Sequence, residues 1–203
     1  MGWSKKQYEE YARLIVSDYF NLKIDNFILK ERPDIHNEIE SIGIEITRAI
    51  SDREGHAYSL MNKYFGKGYN GGEILDEISK DSKFKGEVEN HNGIASISAY
   101  KSFDYLKKID TLRYRIDEKR KKFVEYTHFD RNVLLIHFDT LYFPDDICTI
   151  LREEIEKGPF DSIFILTYDE LFYATKLSME VIALDQIKVN AIKEKVNAYL
   201  DLK

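Results

Sequence analysis

Cysteine, long apolar runs and the short motifs that announce common chemistries are all scarce in this chain of 203 residues. Cys148 stands alone, so no internal disulfide can form and a cysteine-based zinc site is excluded. Its neighbours Ile147, Thr149 and Ile150 suggest a packed helix in which the thiol is a small core group. No apolar run approaches the ~20 residues that a bilayer span needs. Residues 1–10 carry no apolar h-region, so no secretory signal is expected and the chain reads as cytoplasmic, with no membrane partner. GxSxG, HExxH and GxxxxGK[ST] are missing, which sets aside serine-hydrolase chemistry, zincin chemistry and an NTP-binding P-loop. Nor is there an excess of positive charge: 30 Lys and Arg against 36 Asp and Glu give a net charge of −6. That balance disfavours a generic nucleic-acid coat, whose affinity rests on neutralising phosphates, and is weak evidence on any local basic groove.

What is present is one stretch, 31–48, that reads ERPDIHNEIESIGIEITR. Ile42, Ile44 and Ile46 alternate with Gly43, Glu45 and Thr47, the pattern of a half-buried strand. An apolar-rich run, 24–29, leads into Pro33-Asp34, and the polar segment 36–41 has hairpin-loop character. A turn near Ile39-Glu40 makes Asp34 and Glu45 cross-strand neighbours, with Cβ atoms about 4.5–5.5 Å apart. Two carboxylates that close repel unless a positive group lies between them, and a divalent cation is the usual answer.

Around this hairpin the chain alternates helix and strand. A helix is expected from residue 5, burying Tyr8, Tyr11, Ala12, Ile15, Tyr19 and Leu22, with Glu9 at the edge of that face as a solvated acid. Segments 52–65 and 73–80 suit helices, and 66–72 (GKGYNGG) is glycine-dense and expected as a loop. In that loop Lys67, Tyr69 and Asn70 are candidates for phosphate contact. Residues 87–93 are polar, and 94–99 alternate briefly as a possible third strand. Residues 51–100 therefore look like an insertion in a single domain spanning 1–203.

A long helix over 101–126 carries Tyr105, Ile109, Leu112, Ile116, Phe123 and Tyr126 inward, and its other face is a charged, solvated run. Lys119 falls in the inward stripe. Either its stem packs there while the ammonium snorkels to water, or the ammonium meets a buried partner. Two apolar runs, VLLIHF at 133–138 and SIFILT at 162–167, flank a helical segment at 145–157, the signature of a buried parallel βαβ unit. His137 within the first run is expected as a hydrogen-bonded core histidine. A strand at 179–184 and a helix at 187–200 complete the reading.

Pro33-Asp34 followed by Gly43-Ile44-Glu45-Ile46-Thr47 resembles the active-site hairpin of the PD-(D/E)XK nuclease superfamily, and the wording ERPD…GIEIT is similar to bacterial members of it. The resemblance implies an α/β, restriction-endonuclease-like core with a mixed central sheet flanked by helices. It implies Mg²⁺, with Mn²⁺ as a substitute, held by Asp34, Glu45 and the Ile46 carbonyl, and Glu9 as a possible outer partner. It further implies a metal-dependent deoxyribonuclease acting on nucleic acid, DNA foremost, and for duplex cutting a homodimer. The departure is Thr47, where the superfamily usually has lysine. Members that lost that lysine recruit one from a helix, which implies that Lys119 shares the catalytic set with Asp34, Glu45 and Thr47. The missing lysine and the acidic charge equally suit a nuclease-fold module that binds nucleic acid or assembles without turnover. An unrelated α/β interaction protein is the third possibility.

Overall fold

Tyr11, Ala12, Ile15 and Val16 repeat at helical spacing and bury one side of α1 (Lys5–Tyr19). A 3-10 turn (Ile24–Asn26) then leads into three strands: β1 (Ile28–Leu29), β2 (Ile35–Asn37) and β3 (Ile42–Arg48). There follow α2 (Asp52–Tyr64), α3 (Gly71–Ser79), β4 (Glu87–His91) and β5 (Ile94–Ser98). The remainder is α4 (Tyr105–Lys122), a 3-10 turn (Phe123–Glu125), β6 (Arg131–His137), α5 (Pro144–Glu156), β7 (Ser162–Leu166), β8 (Glu170–Thr175), β9 (Met179–Ala183) and α6 (Gln186–Asp201). The structure, a computed structural model, describes residues 3–19, 23–65, 67–84, 86–92, 94–98 and 104–201. It divides into two units, one built from Ile50–Lys107 with the first four residues, the other from Lys5–Ala49 and Lys108–Lys203. No helix among the described residues is long and apolar enough to cross a membrane.

The larger unit is an α/β layer structure around a mixed seven-stranded sheet of order β1-β2-β3-β6-β7-β8-β9. The apolar runs at its centre form the expected parallel βαβ unit, β6 and β7 pairing from Val133↔Ser162 to His137↔Leu166 with α5 between them. β3 lies parallel on the other side of β6, from Ile42↔Arg131 to Arg48↔His137, and the outer pairs are antiparallel. On one face Leu134, Ile136, Ile163 and Ile165 pack with Leu112 and Ile116 of α4 and Ile147, Leu151 and Ile155 of α5. Partly buried Cys148 lies against the same cluster. On the other face α1 covers the sheet, and His137, 2 % exposed, meets the rings of Tyr8 and Tyr11. Its Nε2 lies 3.3 Å from the Tyr8 carbonyl, and burial with Arg48 nearby pushes its pKa down to about 3, so it is a neutral core histidine.

Several expectations are corrected. β3 is buried along both faces from Ile42 to Ile46 rather than half-buried, because it is paired on both edges and covered on both sides. The hairpin turns where expected, but His36 and Asn37 belong to β2 and are buried, not part of a loop. Asn37 Oδ1 accepts the Glu40 N–H and holds the turn, while the His36 ring packs edge-on against Phe129. The long helix ends at Lys122, and 101–103 lie outside the described residues. β8 is an additional strand, pairing β7 with β9.

In the smaller unit α2 and α3 both begin with a capping box, Ser51 with Glu54 and Asn70 with Glu73. Residues 66–72 are thus not loop throughout: Asn70 caps and Gly71 opens α3. The polar segment 87–91 is a strand, and 94–98 pairs with it in a separate two-stranded sheet instead of adding to the main one. Leu60, Tyr64, Ile74, Ile78 and Ala95 form this unit's own core.

Candidate functional site

The β2–β3 register fixes the position of the acids. Ile35 pairs with Ile44, so Asp34, one residue before β2, falls opposite Glu45. Both are 5 % exposed. Asp34 is held by the Ile46 N–H, which donates to its Oδ2 at 2.8 Å. An extended residue directs its N–H and C=O to the same edge, so the Ile46 carbonyl faces the Asp34 side as well.

The hairpin is braced by segment 127–132. Thr127 N–H donates to the Arg32 carbonyl, Arg131 N–H to the Ser41 carbonyl, and Asp130 N–H to Ser41 Oγ. Phe129, tied to Asn132 through two hydrogen bonds, lies over Gly43. A Cβ at Gly43 would stand 2.4 Å from Phe129 Cδ2 and 2.9 Å from Pro33 Cγ, so only glycine lets the ring cover the strand.

Lys119 of α4 reaches this hairpin. Its Nζ donates to Glu45 Oε1 at 2.5 Å, and its side chain is 18 % exposed. The ammonium is therefore at the acid pair, not in water. Thr47 lies half-buried on the Glu45 face of β3, two residues on, where it makes no side-chain hydrogen bond to either acid.

Two participants were not legible in the sequence as such. Lys5, in the first turn of α1, places its Nζ 3.1 Å from Glu9 Oε1 and 3.2 Å from Asp34 Oδ1. Glu9 is thereby drawn into the site and is 8 % exposed, not a solvated helix acid. The signal available was the i,i+4 spacing of Lys5 and Glu9, which alone reads as a surface pair. The other is Tyr126. Its buried hydroxyl stands beside the Glu45 carboxylate.

The electrostatics follow from this crowding. Burial raises the pKa of Glu45, Asp34 adds to the rise, and Lys119 only partly offsets it. Glu9 is raised as well, by burial first and then by Asp34, against the opposing pull of Lys5. Burial disfavours the charged form of Lys5, but Asp34 and Glu9 outweigh it and hold the ammonium above its ordinary range. Burial and the Glu45 charge push the Tyr126 phenol up, keeping it protonated.

Among the described residues no group of three or more His, Cys, Asp or Glu is gathered into a ready-made ion cage. The donors nonetheless suit Mg²⁺, which is held through one or two carboxylates and retains several waters. Asp34 and Glu45 supply hard oxygens, and with Glu9 the carboxylates exceed their ammonium partners. Lys67, Tyr69 and Asn70 belong to the smaller unit, and the Asn70 side chain is spent on the α3 cap. No protein-family model, curated protein or solved structure matches this chain.

Proposed function

We propose that this chain is a divalent-metal-dependent nuclease that hydrolyses phosphodiester bonds of nucleic acid, DNA foremost, on a restriction-endonuclease-like form of its mixed α/β sheet. The observation that carries the reading is the buried Asp34–Glu45 pair on one hairpin with a lysine ammonium at 2.5 Å from Glu45. The element order is consistent with it: helix, antiparallel hairpin, long helix, then a parallel βαβ unit.

Asp34 and Glu45 would hold Mg²⁺ or Mn²⁺, with the Ile46 carbonyl at the same edge. When bound, such an ion polarises a phosphoryl oxygen and lowers the pKa of a coordinated water. The chain's own groups do the rest. Lys119 brings a positive charge on α4 to Glu45, two residues before the position where the superfamily usually has lysine, and would stabilise negative charge developing at phosphorus. The Thr47 hydroxyl orients a water by hydrogen bonding, and Tyr126 offers a protonated donor beside Glu45. The sequence departure at Thr47, with Lys119 already engaged by Glu45, supports a second reading: a nuclease-fold module that binds nucleic acid without turnover.

Calorimetry with Mn²⁺ and plasmid nicking test these readings together. Asp34→Ala and Glu45→Ala are each expected to fold and to lose Mn²⁺ binding and nicking. Unchanged Mn²⁺ affinity in either variant removes the site. Binding without nicking in the unaltered protein leaves the module.

A further inference from the structure

Resting on that proposed metal site, we infer that Lys5 is its built-in counter-ion, a latch that the divalent cation displaces. Among the described residues the cations paired with Glu9, Asp34 and Glu45 are the ammonium groups of Lys5 and Lys119, so three buried carboxylates meet two positive charges. Carboxylates so placed repel one another unless a cation stands between them. Lys5 does this for Glu9 and Asp34, sitting 3.1 Å from one and 3.2 Å from the other. A divalent cation in its place brings the cluster to neutrality.

The two lysines are not equivalent in this respect. Lys119 reaches Glu45 along a packed helix with a side chain 18 % exposed, whereas the Lys5 side chain is 75 % exposed. Lys5 loses little by swinging into water, since an exposed ammonium regains full hydration there. It is also a cation in the first turn of a helix, where the macrodipole disfavours positive charge. Its presence there is explained by the carboxylates it meets. All the groups involved lie within the larger unit.

The cation and Lys5 therefore compete for Asp34, and removing the Lys5 charge should tighten metal binding. Lys5→Gln keeps length and polarity while removing the charge, and Lys188→Gln, which breaks the Lys188–Asp18 pair elsewhere on α1, is the control. In calorimetry Lys5→Gln is expected to bind Mn²⁺ about fivefold to tenfold more tightly, the size of one or two partly exposed ion pairs. The Mn²⁺-induced rise in Tm should be larger than in the unaltered protein, and Lys188→Gln should show neither change. Equal or weaker affinity in Lys5→Gln, with binding still lost in Asp34→Ala, overturns the latch and leaves the metal site standing. Mn²⁺ binding in neither Lys5→Gln nor the unaltered protein overturns both.

Discussion

Glu45 and Glu154 are two glutamates buried to the same degree, 5 % and 4 % exposed, and both are met by consecutive residues of α4. Their surroundings differ in the number of cations. Glu154 is clasped by Arg120 at 2.6 Å, Lys157 at 2.7 Å and Arg113 at 3.3 Å, while Arg120 also donates to the Gly158 carbonyl. Among the described residues Glu45 has one ion-pair partner, Lys119, and a second carboxylate opposite it. Burial raises both pKa values; at Glu154 the pull of Lys157 and Arg120 wins and the net shift is downward, whereas at Glu45 it stays upward. Both side chains are closed off from water, but Glu45 is set deeper among protein atoms and meets fewer cations, which separates it from a carboxylate whose charge is satisfied by the fold. Glu154 ties α4 to α5. Glu45 is where an added cation has something to gain.

The largest expected effect comes from removing the single cation at Glu45. Lys119→Met keeps the apolar stem that packs in the α4 stripe. The variant should remain folded and retain Mn²⁺ binding, yet lose about a hundredfold to a thousandfold in nicking rate, about 2.7–4 kcal/mol at the transition state. A folded Lys119→Met protein that cleaves at the unaltered rate ends the assignment, and Lys122 is then the next lysine to test.

One residue along the same helix, the balance should reverse. Arg120→Met strips Glu154 of its closest partner, leaving Arg113 and Lys157, so the loss is smaller than for a fully severed buried pair: about 2–3 kcal/mol of stability. Mn²⁺ affinity should not change. Denaturant unfolding of both α4 variants, run side by side, checks the contrast, and a larger stability loss in Lys119→Met than in Arg120→Met would break it.

The two glutamates also mark what the sequence disclosed. Asp34 and Glu45 could be read because strand alternation and a turn at Ile39-Glu40 determine a register, and register alone places side chains opposite one another. The βαβ unit was legible because four apolar residues in a row, 133–136 and again 163–166, can be buried only on both faces of a sheet. Arg113 and Arg120 were taken as a solvated face, since nothing local tells a helical arginine that a buried glutamate 41 or 34 residues ahead awaits it. β4 was missed because EVENH has a single apolar side chain, Val88, to offer its small core. Lys5 was missed for a related reason: its partner Asp34 lies across the fold, and only tertiary structure brings them together.

The smallest effect has the most telling sign. Glu45 has its pKa raised by folding, so the native state holds its proton more tightly than the unfolded state does. Its contribution to stability is present at low pH and is lost as pH climbs from the ordinary glutamate range through the raised folded value. Glu154 is lowered, so its contribution is present above the ordinary range and is lost as pH falls through the depressed folded value. Measured with chelator present, the stability of the unaltered protein relative to Glu45→Gln should therefore decline as pH rises above the ordinary glutamate range. Relative to Glu154→Gln it should instead decline as pH falls below the ordinary glutamate range. Parallel pH profiles for the two variants would mean that Glu45 is as well satisfied as Glu154, and the distinction between a structural and a functional carboxylate facing α4 would be lost.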